Sequence, residues 1–272
     1  MRIGLLSGRT LSEHCLKVLQ PILEDGSFEV ALVVVDGRPP GSARQKVIGH
    51  IRRGRGGYVL VLAVQKLISS CGSFLTTHDA RCAMTMSVRE FCRANRVELL
   101  ETTHPYSPET SAEIHKRGLD LLVLIGGFGI VREPLLSLCP KGILSYHHGD
   151  MRKYRGMPPG LWELYHGEKE IGITVQRIAA GLDCGVPIEE KQIPIYPNDT
   201  LGTLRARLKT EDEDMLYAAL KKLADPGFTP VTIRGFGKVY TLPNFRQWVT
   251  LNTRIAYRKL RCRLSLPATK DL

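Results

Sequence analysis

The chain has 272 residues, 43% of them apolar and 24% charged, which are ordinary proportions for a globular protein long enough to bury a large core. Thirty-eight Lys and Arg against 27 Asp and Glu give a net charge of +11. That balance favours an anionic substrate, a nucleic acid or an acidic membrane surface without choosing among them.

Met1 leads directly into an apolar strand over Ile3–Leu6, so no signal peptide is expected. A helix-period segment follows over Leu11–Leu23, then a strand over Val30–Val35. The turn after the first strand reads Ser7-Gly8-Arg9 and lacks the G-x-G-x-x-G spacing, so a nicotinamide or flavin dinucleotide site is not expected. Residues 36–57 carry Arg38, Arg44, Lys46, Arg52, Arg53 and Arg55 among glycines and prolines and read as a solvated or partly disordered insertion. The apolar run Tyr58–Val64, continuing to Leu67-Ile68, is far short of the ~20 residues a membrane-spanning helix needs. It reads as a buried helix or strand. The arginines before it also allow an element lying peripherally on a membrane surface.

A helix is expected over Thr85–Ala94, a strand over Val97–Leu100, a helix over Ser107–Arg117 and a strand over Leu119–Ile125. Ser107, Pro108 and Glu109 supply a cap, a first-turn proline and an early acid. Beyond, Pro187–Ile195 alternates as a strand does, and Asn198-Asp199-Thr200 opens a helical tract to Ala224 that is broken near Thr210–Asp214. Strands alternating with helices predict βαβ units, hence an α/β, Rossmann-like fold with a mostly parallel central sheet. Pro226-Gly227 divides the chain into an α/β domain, residues 1–225, and a short basic C-terminal extension, 226–272, with a short-strand pattern over 228–245. The seven cysteines form no C-x-x-C pair and no zinc-type spacing, so reduced thiols, no metal and a cytoplasmic location are expected.

Three segments carry chemistry. The first is Ser145-Tyr146-His147-His148-Gly149-Asp150-Met151-Arg152-Lys153-Tyr154-Arg155-Gly156; the others are Gly172-Ile173-Thr174-Val175-Gln176 and Gly181-Leu182-Asp183-Cys184-Gly185. They put a histidine at a strand end and a carboxylate in a turn. An imidazole donates to a carbonyl oxygen while an aspartate collects a proton from a nucleophile, which suits attack on an acyl or formyl carbon. Taken singly, a histidine is more often a surface or core residue, and an aspartate between glycines more often a turn former. The loop Gly126-Gly127-Phe128-Gly129-Ile130-Val131 follows the strand Leu119–Ile125, where small residues let a flat ligand approach the backbone; a plain strand-to-helix connection has the same composition.

Together these segments resemble the folate-dependent formyltransferases, whose pattern runs Asn-x-His, six residues, Tyr-Arg-Gly, then a Gly-x-Thr-x-x strand and a Leu-Asp-x-Gly turn. The resemblance covers about the first 225 residues in outline. It implies a formyltransferase fold, 10-formyltetrahydrofolate as co-substrate, and a loop at Gly126–Val131 whose main chain holds the pterin ring. It implies His147 as the acting histidine, Asp183 as the base and Thr174 as a positioning residue, with Tyr154, Arg155 and Gly156 closing over the acceptor. A register slip of one would put His148 in place of His147; strand alternation favours His147. The chain departs at the family's asparagine, where Ser145 stands. Loss of one oxyanion donor typically costs ~2.7–4 kcal/mol, and His148 is an alternative donor.

By the same resemblance, the acceptor is a small anionic amine such as a nucleotide-linked amino sugar. The extension is too small for a separate β-barrel domain, which argues against an initiator transfer RNA and so against a nucleic-acid partner. Two other readings stand beside transfer: a formyltetrahydrofolate hydrolase, and a formyltransferase-like binding protein, impaired at Ser145, that uses its basic surface. Whether the extension pairs subunits into a homodimer or folds over the site is open.

Overall fold

The computed structural model describes residues 1–39, 42–52, 56–62, 64 and 85–265. Its central sheet has seven strands: β1 (Arg2–Ser7), β3 (Glu29–Asp36), β5 (Glu98–Thr102), β6 (Leu121–Gly126), β7 (Ile143–His147), β9 (Glu170–Arg177) and β10 (Val186–Pro194). Their order across the sheet is β10-β9-β7-β6-β1-β3-β5. Pairings from β5 through to β7 are parallel, and the β7–β9–β10 edge is antiparallel. The expected mostly parallel α/β architecture is present.

The strands are apolar on both faces because helices cover both. Helix α1 (Glu13–Glu24) starts at the Ser12 cap and buries Val18, Leu19 and Ile22 in one layer, which also holds Leu144 and the apolar side of α7 (Met215–Ala224). The opposite layer contains Leu6, Ile114, Phe128, Leu135 and Ile143. Strand order reverses between β1 and β6, and the loops leaving these strands interlock. The Gly8 N–H donates to the Gly126 carbonyl at 2.8 Å, and a Cβ on Gly127 would come within 2.8 Å of Gly8 Cα. This places the glycine-rich loop at the carboxyl edge of the switch point, where open α/β sheets bind ligands.

Some local expectations change. The basic stretch 36–57, expected as a solvated or partly disordered insertion, includes among its described residues the helix α2 (Ala43–Arg52). Ser42 and Gln45 cap it reciprocally, each backbone N–H donating to the other's side chain, a box legible in the sequence but outweighed by its glycines and charges. Residues 56–62 are helical, with Val61 buried and Leu60 and Leu62 exposed; Arg53, Arg55, Leu67 and Ile68 lie outside the described residues. The segment from Thr85 opens as a short strand, β4 (Thr85–Ser87), paired antiparallel with β2 (Thr10–Ser12), before α3 (Val88–Asn95). Helix α4 (Pro108–His115) has Ser107 as its cap, and the tract after Thr200 is split into α6 (Leu201–Glu211) and α7, as the sequence indicates.

The extension packs back on its own chain. Strand β11 (Lys238–Tyr240) pairs in parallel with β8 (Tyr154–Gly156), and helix α8 (Phe245–Ser265) lies against α5 (Leu161–His166). Only those three residues of 228–245 form a strand. No helix among the described residues is long and apolar enough to cross a membrane.

Candidate active site

Strand β7 delivers its side chains alternately to the two layers, Ile143 to one and Leu144 to the other. Antiparallel pairing sets Ser145 opposite Gln176 and His147 opposite Thr174, so these four residues share a face. His147 is 6% exposed, its Nε2 2.9 Å from the Tyr154 carbonyl and its Nδ1 3.4 Å from Asp183 Oδ2. Both neighbours accept hydrogen bonds. A doubly protonated ring can donate to both at once, a neutral ring to one.

The carboxylate is held by its turn. Asp183 adopts a left-handed backbone, φ 45°, which an aspartate tolerates better than most residues. Its Oδ2 accepts the Gly156 N–H at 2.7 Å and its Oδ1 the Gln176 amide at 3.2 Å. Gln176 Oε1 in turn accepts the Gly185 N–H at 3.1 Å. A Cβ on Gly185 would meet the Arg177 carbonyl at 2.2 Å, so only glycine lets the turn close.

The structure thus brings together His147, Asp183, Thr174, Ser145 and the backbone of Gly156. Ser145 Oγ donates to the Tyr146 carbonyl at 3.3 Å. His148 goes elsewhere: its Nε2 lies 2.6 Å from Oδ2 of the fully buried Asp212, and its ring stacks on Tyr146. Asp212 Oδ1 also faces His14 Nε2 at 3.2 Å, and burial holds the His14 imidazole below its ordinary pKa. The Tyr154 ring is buried against His166 and Tyr240, its hydroxyl donating to Glu168, so this residue meets His147 through its carbonyl. Arg155 donates to the carbonyls of Gly237 and Leu182 and stacks over Phe236, tying the site loops to the extension.

In the glycine loop, Gly126, Gly127 and Gly129 all have positive φ. Phe128 and Val131 are buried anchors, whereas Ile130 is 71% exposed and its carbonyl accepts the Tyr106 hydroxyl at 2.7 Å. What this loop offers a ligand is backbone and the Ile130 side chain. Leu124 pairs with Ser145, so the loop emerges beside the strand end that carries His147.

Two residues escaped sequence reading. Gln176 had a signal, lying two positions beyond Thr174 and therefore on the same face. Glu163 sits in the apolar run Leu161-Trp162-Glu163-Leu164, a position that promises burial. It is 3% exposed, and burial pushes its carboxyl up to about 7. A Cβ built on Gly149 would lie 2.8 Å from His147 Nε2 and 3.4 Å from Glu163 Oε1, which shows how closely these groups converge. A void of about 10 Å³, room for one water, lies between them.

A family model described as formyl transferase matches residues 41–220. The methionyl-tRNA formyltransferase of Acetivibrio thermocellus is 33% identical over 138 residues, 51% of this chain and 44% of the relative. The chain therefore spans less than half the length of that relative. Among solved structures, glycinamide ribonucleotide transformylase 1 from Symbiobacterium toebii superposes with a TM-score of 0.55 at 23% identity, covering 86% of this chain and 94% of its own. A sugar 3N-formyl transferase solved in the presence of dTDP and 5-N-formyl-THF gives a TM-score of 0.55 at 15% identity, covering 99% of this chain and 83% of that one. At these identities the superpositions speak for the fold.

Proposed function

The chain belongs to the formyl transferase family, and from that premise we propose that it transfers a formyl group from 10-formyltetrahydrofolate to an amine of a small anionic acceptor, of the kind a nucleotide-linked amino sugar presents. The observation that carries this reading is the His147–Asp183 pair, 3.4 Å apart at the carboxyl edge of the sheet beside the glycine loop. The acceptor class is supported by the net charge of +11 and by an extension folded onto its own chain.

The folate's flat ring would lie along the backbone of Gly126–Val131 and the acceptor would enter near Gly156, with the formyl carbon beside the His147–Asp183 pair, whose 3.4 Å separation leaves no room between them. The amine lone pair attacks that carbon, and the carbonyl π electrons move to its oxygen. For His147 to donate to the resulting oxyanion, the N–H that faces Asp183 turns to the formyl oxygen, which leaves the carboxylate open as a proton acceptor. Asp183, aimed by the Gly156 N–H and Gln176, takes the proton from the attacking nitrogen, directly or through a water that Thr174 helps place. The tetrahedral intermediate collapses as the bond to the folate nitrogen breaks, and the proton taken by Asp183 passes to that departing nitrogen, directly or through the same water. Ser145 supplies a shorter donor arm than an asparagine would.

The test is incubation of the full chain with 10-formyltetrahydrofolate and a panel of amines, following tetrahydrofolate by absorbance and the acceptor by mass spectrometry. Formylated acceptor supports transfer. Formate released without any amine would point to hydrolysis, and no turnover with any amine or with water would remove the enzymatic reading.

A further inference from the structure

Apart from the His147 crevice, the chain forms an open-mouthed cavity of about 640 Å³ between the helical residues 56–62, the loop after Gly156, the first turns of α6 and the inner face of α8. Its size falls in the ~300–1,000 Å³ range of small-ligand sites. The wall is mainly apolar, with Met157, Leu242, Trp248, Leu251 and Ile255 contributing. Met157 is 63% exposed, an unbranched thioether at the mouth able to adapt to an occupant.

One charged group reaches this wall. Arg205 donates its Nε to the Pro159 carbonyl at 3.0 Å and interacts electrostatically with Tyr58, a neighbour on the same wall. No carboxylate among the described residues pairs with it, whereas Arg207, two positions on, is held by Asp199. Burial depresses the Arg205 guanidinium, the mark of a cation removed from water. A planar fork facing apolar space matches a carboxylate or phosphate presented edge-on.

We propose that this cavity binds a small amphipathic anion, a carboxylate or phosphate monoester whose head takes the terminal nitrogens of Arg205 and whose apolar body fills the space beside Trp248 and Ile255. The site stands independently of the formyl-transfer reading. It adjoins that chemistry through one peptide, because Met157 follows Gly156, whose N–H supports Asp183. An occupant would therefore press on the loop that holds the carboxylate.

Calorimetric titration of the full chain with octanoate, octyl phosphate and octanol tests the proposal. At least one of the anions should bind about tenfold or more tightly than octanol, a preference of the size that charge-assisted hydrogen bonds give. Arg205→Met should erase that preference and leave octanol binding in place. Gly202→Phe adds a ring on the cavity's rim, where a Cβ meets nothing nearer than Thr200 Oγ1 at 3.7 Å, and should weaken all three ligands without disturbing thermal unfolding. His147→Asn should change none of them, separating this site from the folate site. The comparison between octanoate and octyl phosphate identifies the head group. Octanol binding as tightly as both anions, an anion preference that survives Arg205→Met, or anion binding unaffected by Gly202→Phe would overturn the proposal.

Discussion

His147 and His148 are adjacent in sequence and end on opposite faces of the sheet, the first with Nδ1 3.4 Å from Asp183 Oδ2, the second with Nε2 2.6 Å from Asp212 Oδ2. Pleat alternation forces the separation, so the two rings face different chemistry. His147 lies beside the glycine loop and the Gly156 backbone. His148 and His14 hold the fully buried Asp212 carboxylate at the end of α6, while the Tyr146 hydroxyl donates to the Asp212 backbone carbonyl.

This separation predicts opposite phenotypes. His147→Asn should lower kcat by about 10²–10⁴ fold, the usual contribution of a positioned acid or base, with little change in thermal stability. His148→Gln should leave kcat within a few fold and lower stability by about 1–3 kcal/mol, because Asp212 loses a partner in a dry setting. Steady-state kinetics and thermal melts on both variants check this. A catalytic loss confined to His148→Gln would reverse the assignment.

Asp183→Asn tests the base. The amide oxygen can still accept the Gly156 N–H, so the turn should survive while the proton acceptor is lost. Turnover should fall by about 10²–10⁴ fold while affinity for 5-formyltetrahydrofolate, measured by calorimetry, stays within about threefold. Undiminished turnover would rule out Asp183 as the base.

At Ser145 the prediction is a gain. Its hydroxyl donates to the Tyr146 carbonyl and is shorter than an asparagine amide. Ser145→Asn should raise kcat if a missing oxyanion donor limits the rate, by up to the ~2.7–4 kcal/mol such a donor contributes. A fall in kcat would mean that the serine belongs to a differently built oxyanion site.

The sheet was legible because its strands are short β-branched runs and its helices carry caps such as Ser107 and Thr200, signals that depend on local geometry alone. The pair of His147 and Asp183 was legible as a spaced pattern. The supports of that pair were not, since Gln176 and the Gly156 N–H become partners of Asp183 only when β9 and the loop after β8 meet in space. Tyr154 and Arg155 show the same limit. Their identities fit a ligand, yet the extension captures both side chains, and only the long-range β8–β11 pairing determines that.

Glu163 provides a prediction independent of turnover. Its carboxyl is 3% exposed, and burial raises its pKa from the ordinary 4.5 to about 7. The folded state therefore binds this proton more tightly than the unfolded chain does. Between about pH 4.5 and 7 the folded state carries more protons, so stability falls as pH rises through that window and stays at the lower level above it. The difference is on the order of 3 kcal/mol at full effect. Glu163→Gln removes the ionisation, and its thermal midpoint should decline less than that of the parent between pH 5 and pH 8. Parallel pH profiles for the two proteins would show that the carboxyl titrates normally. A flattened profile in the variant would mean instead that, above neutral pH, the parent carries a second carboxylate in the crevice beside the His147 ring, opposite Asp183.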